Sequence, residues 1–269
     1  MPKSGVLDIY GSSADLVYTG FMTIHLLNCF TCNSRLGDMK TGTLCLLVET
    51  GQGLVLIDTG LGLDDYARPT WFTQFFRLIT DMPFNPQEAA FNQVKRLGYK
   101  PEDIRHIILT HMHFDHCGGL PDFPWATVHV HRREYEAFIH GPRQFKELAY
   151  IRRNIAMVKE WALYDSTDEQ WYDFNAIRLP FDPEMWLVPL HGHSQGSCGV
   201  AIRTSTGWHF HVGDAGVDIE RNIAPDWLIA TALGPHWPRL RTFAHAHPEI
   251  RLTASHMLLE SLRLGDGFI

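Results

Sequence analysis

Residues 109–119 read LTHMHFDHCGG, which places His111, His113, Asp115 and His116 within six positions. Crowded imidazoles repel one another when protonated, and each neutral ring keeps a nitrogen lone pair that needs a partner. Side chains two apart on extended chain share a face, so His111 and His113 point the same way at a strand end. Asp115 and His116 follow as the chain turns, helped by Gly118 and Gly119. One short loop can therefore offer two imidazoles to one cation and a carboxylate with an imidazole to a second. Neutral imidazole and carboxylate oxygen suit zinc or a similar divalent ion. A cation also consumes the lone pairs and keeps the rings neutral. Four side chains do not complete two sites, so further ligands are expected at the ends of later strands. His193 in HGHSQGS, Asp214 in VGDAG and His256 in TASH meet that demand.

The elements that must position these residues follow from hydrophobic patterning. TLCLLVE (43–49) and LVLID (54–58), split by TGQG, read as adjacent strands, with DTG (58–60) as a sharp turn. IRHIILT (104–110) is a continuous β-branched run of the fully buried kind, and the histidine cluster begins where it ends. ATVHVH (126–131) is a further strand, followed by the helical RREYEAFIHG. NPQEAAFNQVKRLGY (85–99) reads as a helix with Pro86 in its first turn and Gly98 as its stop. A second helical stretch is expected over 143–164, and strands at 186–190, 198–204 and 208–214, the last two joined by a turn at 206–208. PEIRLTASH ends the pattern as a short strand leading to His256. Helices alternate with strands that often come as hairpins, which predicts a mixed α/β sandwich, read as a single domain over 1–269.

The series His111-x-His113-x-Asp115-His116, with later His193, Asp214 and His256, resembles the metallo-β-lactamase superfamily, as do LIDTG and GHSQGS. The resemblance runs from about residue 43 to 256. It implies a four-layer αββα sandwich with the metals at one edge between the sheets. It also implies that His111, His113 and His193 hold the first metal, that Asp115, His116 and His256 hold the second, and that Asp214 bridges both. Asp58 would support a ligand histidine from behind, although a turn-forming Asp at a strand end serves equally well. Two divalent ions, zinc first and iron, manganese or cobalt also suited, would share an activated hydroxide, and Asp115 would shuttle the proton.

The resemblance implies hydrolysis of an ester or lactone carbonyl. Within the superfamily the chain resembles the N-acyl-homoserine lactonases that quench quorum sensing: HMHFDHCGG and ATVHVHRREYEAF are similar to their corresponding stretches. One departure stands out. Those lactonases carry a Tyr three residues after the bridging Asp, where this chain has Val217. Tyr66 and Tyr135 are loose candidates to replace it. A phosphotriesterase or phosphodiesterase on the same metals is the alternative, and a non-catalytic binding protein of this fold is a third reading.

Composition bounds the partners. The chain has 269 residues, 45% hydrophobic and 20% charged, with a net charge of −7. That suits an ordinary globular protein and disfavours nucleic acid, which needs a basic face. No apolar run approaches the roughly 20 residues that span a bilayer, and no cationic start precedes an apolar stretch, so a cytoplasmic protein without a membrane partner is expected. A homodimer is left open. Five cysteines, an odd number, argue for reduced thiols, and Cys29-Phe-Thr-Cys32 reads as small buried residues for want of a second such pair. Trp71, Phe72, Phe75 and Phe76 (with Ile79) fall on one side of a helix and could line a groove for an apolar chain on a small-molecule substrate, or pack on the sandwich. Trp161, Trp171 and Tyr172 read as core or interface, and Trp227 and Trp237 as a candidate cap. The remaining histidines read as structural or exposed, with either His209 or His211 a candidate to sit behind the metals.

Overall fold

The computed structural model describes residues 23–33, 40–141, 145–217 and 226–257. The first sheet has six strands in chain order: β1 (Ile24–Asn33), β2 (Lys40–Thr50), β3 (Gly53–Ile57), β4 (Ile104–Ile108), β5 (Thr127–His131) and β6 (Glu160–Tyr164). Its first three strands form antiparallel pairs and the rest run parallel to β3. A two-stranded ribbon, β7 (Gln170–Trp171) with β8 (Phe174–Asn175), leads to the second sheet. That sheet comprises β9 (Ile177–Leu179), β10 (Met185–Pro189), β11 (Cys198–Thr204), β12 (Gly207–His211) and β13 (Ile250–Thr253), in the order β13-β12-β11-β10-β9.

The helices are α1 (Leu63–Ala67), α2 (Trp71–Thr80), α3 (Ala90–Arg96), α4 (Phe114–Cys117), α5 (Arg132–His140), α6 (Asp226–Leu233) and α7 (Trp237–Ala246). Strand periodicity assigns the layers. Along β2, Leu44, Leu46 and Val48 face the second sheet and meet Leu187, Val200 and Ile202 there. The intervening Cys45 and Leu47 face the other way, onto Ala90 and Val94 of α3 and the cluster that takes in Ala137 and Phe138 of α5. Behind the second sheet, Ala201 and Phe210 pack against Leu240 and Phe243 of α7. The result is the expected αββα sandwich.

Two expectations about local structure are corrected. Residues 143 and 144 lie outside the described residues, and the rest of the expected second helix, 145–164, is not one: 3-10 turns occupy Phe145–Ala149 and Arg152–Ile155, and Glu160–Tyr164 is strand β6. Parallel pairing from Thr127↔Glu160 to His131↔Tyr164 overrides the helix propensity of this stretch, and such long-range pairing leaves no short-range signature. The helix expected over 85–99 is broken. A 3-10 turn at Pro86–Glu88 ends at Ala89, whose ψ of 133° is not helical, before α3 begins. Gly98 then stops the chain in the left-handed region, with φ +92°.

Candidate metal centre

The seven residues expected as ligands converge at one end of the sandwich, in the segments that follow β4, β10, β12 and β13. His111 and His113 follow β4, and His113 is the N-cap of the one-turn helix α4 that carries Asp115 and His116. The helix is held against the β3 turn: Thr59 donates both its backbone N–H (2.7 Å) and its hydroxyl (2.9 Å) to the His116 carbonyl. Gly118 allows this approach, since a Cβ there would lie 2.4 Å from Asp65 Oδ2 and 2.5 Å from the Phe114 carbonyl. His193 projects from the loop after β10, Asp214 from a 3-10 turn after β12, and His256 from the residues after β13.

Three sets of potential ligand atoms each lie within 4.8 Å of one another: His111, His113 and His193; His111, His116 and Asp214; Asp115, His116 and His256. Asp214 sits between the outer two. Its Oδ2 is 3.2 Å from His193 Nε2 and 3.1 Å from His256 Nε2, while its Oδ1 is 3.3 Å from His116 Nε2. Asp115 Oδ2 lies 3.5 Å from His256 Nε2 and accepts from the Thr43 hydroxyl at 3.4 Å.

The nitrogens on the far sides of these rings are spoken for. Asp58 is wholly buried, and its Oδ2 accepts from His116 Nδ1 at 2.9 Å and from the Thr110 hydroxyl at 2.7 Å, while its Oδ1 accepts the Thr110 N–H at 2.8 Å. Having given its proton to Asp58, the Thr110 oxygen is the acceptor for His111 Nδ1 at 3.2 Å. His256 Nδ1 donates to the Gly42 carbonyl at 2.9 Å. All three rings thus use Nδ1 as a donor on the outer side and turn Nε2 inward, where a cation could take the place of a proton. His111 Nε2, His116 Nε2 and Asp214 Oδ1 are buried with no hydrogen bond among the described residues. Such orphaned acceptors are costly unless something electropositive sits among them. The donor set, imidazole and carboxylate without thiolate, fits divalent cations.

Electrostatics agree. Burial, reinforced by His116 and His113, holds His111 well below the usual imidazole range, so its lone pair is available. Burial also disfavours charge on His116 and His256, but Asp214 and Asp115 outweigh it. His116 is raised well above the ordinary value and His256 to about 9. Burial works against the Asp214 carboxylate too, yet His256, His116 and His193 hold it well below the usual range. Without cations, protons do the work of balancing the carboxylates.

Sequence reasoning missed several contributors: Thr43, Thr110, the Gly42 carbonyl and Glu134. None carries a spacing signal, because each reaches the site through a tertiary contact. Of the two alternating histidines on β12, both are buried. His211 is the one whose surroundings include Asp58, His116 and Asp214, and burial, the dominant influence, holds it down to about 4.

The aromatic residues of α2 divide. Phe72 and Phe76 turn inward and meet the Phe114 ring edge-on at 5.4 and 5.2 Å, directly beside Asp115 in sequence. Trp71 and Phe75 are 70% and 52% exposed, and Ile79 is exposed as well, since these positions lie around the helix from the inward pair. Tyr66 is buried, with the Glu88 and Asp65 carboxylates among its neighbours, and Tyr135 packs its ring at a tilt on Trp161. Neither places a hydroxyl among the convergent ligands. Trp171 and Trp237 are core, Trp227 and Tyr172 are exposed. All five cysteines are free thiols, and neither Cys29 nor Cys32 joins a potential metal-binding group among the described residues.

The sequence matches the metallo-beta-lactamase superfamily profile over residues 39–252. A probable metallo-hydrolase of Mycobacterium tuberculosis is 39% identical over 197 residues, which cover 71% of this chain and 62% of the relative; the matched part is thus less than two thirds of that protein's length. The N-acyl homoserine lactonase AiiA of Bacillus thuringiensis subsp. kurstaki is 30% identical over 183 residues, 66% of each chain. Among solved structures, an N-acyl homoserine lactone hydrolase with N-hexanoyl-L-homoserine at its catalytic metal centre superposes with a TM-score of 0.63 at 21% identity, covering 92% of this chain and 98% of that one. A probable metal-dependent hydrolase from Staphylococcus aureus gives 0.66 at 19% identity, covering 88% and 90%. The chain belongs to the metallo-beta-lactamase superfamily, and curated metallo-hydrolases are among its relatives.

Proposed function

We propose that this protein is a binuclear metal-dependent hydrolase that opens an ester or lactone carbonyl, most similar in action to the N-acyl-homoserine lactonases. The observation that carries the reading is the set of bare, buried acceptors, His111 Nε2, His116 Nε2 and Asp214 Oδ1, pointing into the space between the three ligand triplets. His111, His113 and His193 would hold one cation, Asp115, His116 and His256 the other, and Asp214 both. When bound, two such cations supply Lewis acidity to the substrate oxygen and lower the pKa of a shared water towards about 7. The remaining work falls to side chains. Asp58 and Thr110 keep the His111 and His116 rings in the tautomer that leaves Nε2 unprotonated. Asp115, steadied by Thr43, is placed to take a proton and return it to the leaving oxygen.

Substrate reaches the site from a cleft of about 290 Å³ lined by His113, Arg133, His191, His193 and Gln195. Phe114, next to Asp115 in sequence, is buried in a core cluster, and the half-buried Phe72 and Phe76 packed on it are the candidates to meet an acyl chain. Val217 favours a second reading. It provides no hydroxyl to hold a lactone, which leaves a phosphotriester or phosphodiester as the alternative electrophile. The test is a hydrolysis panel with metal-loaded protein: acyl-homoserine lactones of several chain lengths, γ- and δ-lactones, aryl esters and phosphotriesters. The lactonase reading expects the highest kcat/KM on lactones, rising with acyl length. A preference for phosphotriesters would overturn it, and a chain that binds no cation would overturn both readings.

A further inference from the structure

Glu134 is the first-turn acid of α5 and is fully buried, an expensive place for a carboxylate. It makes no ion pair among the described residues. Instead it collects hydrogen bonds from donors alone. Oε1 accepts the Met112 N–H at 2.9 Å and the Tyr150 hydroxyl at 3.0 Å; Oε2 accepts the Gly196 N–H at 2.8 Å and the Ser194 hydroxyl at 2.7 Å. Met112 lies between His111 and His113, while Ser194 and Gly196 follow His193. One carboxylate therefore ties together the two loops that carry the histidines facing each other with His113 Nδ1 and His193 Nε2 3.1 Å apart. The fit is tight. A Cβ on Gly196 would come within 2.2 Å of the Glu134 nitrogen and 2.7 Å of its Cα and Cβ. Tyr150, the fourth donor, also packs its ring on His113, centroids 5.3 Å apart.

We propose that Glu134 is a positioning residue that sets the separation of His113 and His193 by clamping their loops through one backbone N–H on each carboxylate oxygen. The proposal rests on the reading that these two histidines share a cation. A carboxylate is required because both backbone partners are donors. Glutamine has the same shape but must turn its NH2 group towards either Met112 N–H or Gly196 N–H, so one loop is always released. The serine and tyrosine hydroxyls can reverse their roles; the two backbone amides cannot.

The experiment measures the affinity of cation-free protein for each of two equivalents of Co2+, by competition with a chromophoric chelator and by the visible Co2+ bands, with folding checked by circular dichroism. In Glu134→Gln the equivalent held by His111, His113 and His193 should weaken by roughly 10–100-fold with altered bands, the usual consequence of losing a group that orients ligands. The other equivalent should stay near wild type. Gly196→Ala leaves the carboxylate in place and pushes the loop off it, and should show the same selective loss; it also serves if Glu134→Gln does not fold. Tyr150→Phe keeps both backbone contacts and should cost no more than about threefold. A stability role alone would lower the melting temperature without touching Co2+ affinity or bands. A folded Glu134→Gln or Gly196→Ala protein that binds both equivalents as tightly as wild type overturns the clamp and leaves the metal reading standing. A wild-type chain that binds no Co2+ overturns the metal reading and the clamp with it.

Discussion

Replacing Asp58 by asparagine isolates what a buried carboxylate does for the centre. The exchange is isosteric, and asparagine tolerates the left-handed backbone at this position, φ 55°, so the turn itself is not strained. The new amide must keep its oxygen where Oδ1 accepts the Thr110 N–H. Its NH2 group then replaces Oδ2 and faces Thr110 Oγ1 and His116 Nδ1. The threonine oxygen can accept. His116 can do so only by giving up the hydrogen on Nδ1 and carrying it on Nε2, the atom that faces Asp214. A hydrogen bond to a charged group is worth about 1.5–3 kcal/mol, and about 1.4 kcal/mol is tenfold in affinity. The equivalent held by His116 should therefore bind roughly 10–100-fold more weakly. His111 should suffer less, because the Thr110 oxygen that it contacts has a second lone pair. Chelator competition on cation-free protein reads both equivalents, and lactone hydrolysis at limiting metal reads the consequence. A folded Asp58→Asn protein with wild-type affinity for both cations would refute the reasoning.

Further outcomes are expected. His113→Ala removes a proposed ligand atom and should cost one equivalent of metal and all measurable turnover, as metal analysis and rate would show. Asp115→Asn should lose the second equivalent and most of the rate; full activity in this variant would dismiss both the second site and the proton transfer assigned to Asp115. Removing both cations with a chelator should lower Tm by roughly 16–32 °C, half of it from each. A cation at about 1,000 times its Kd contributes about 4 kcal/mol, and each kcal/mol moves Tm by about 2–4 °C at this size; an unchanged Tm would show that nothing specific had been bound. Acidification should destabilise the fold. Burial, helped by a neighbouring histidine in each case, holds His129 and His209 at about 3. These rings are neutral when folded and protonate near 6.5 when unfolded, so their contribution is present above pH 6.5 and falls away as pH drops towards 3. At pH 5 each costs about 2 kcal/mol. A His129→Gln protein should lose less stability between pH 7 and 5 than wild type in chemical denaturation.

The sandwich and the convergent residues were legible in the sequence for the same reason. A polar ligand at the end of an apolar strand breaks the pattern sharply, as His111 does after IRHIILT and Asp214 does after WHFHV. Asp58 was readable only as an even choice between turn former and support for a ligand. The structure shows one residue doing both, since its left-handed backbone turns the chain and its carboxylate braces His116. Strand β6 was hidden because an edge strand, only partly buried, has no alternation to read. Glu134 was hidden because an acid in a helix's first turn is ordinarily explained by the helix dipole. Its burial and the four donors on its carboxylate, which come from two distant loops, reveal that it faces inward. The four aromatics of α2 share a side of the helical wheel yet separate in space, because only the sector that meets Phe114 is covered.

The contact between His256 and the Gly42 carbonyl joins positions 214 residues apart. Translation proceeds at about 5–20 residues per second, so roughly 10–40 s separate the appearance of these two partners on the ribosome. During that interval the nascent chain already displays three imidazoles and Asp115 on the 111–116 loop, while the groups that complete the cage are still unmade. If the centre holds cations as proposed, tight retention must wait until β13, the last strand among the described residues, has joined the edge of the second sheet.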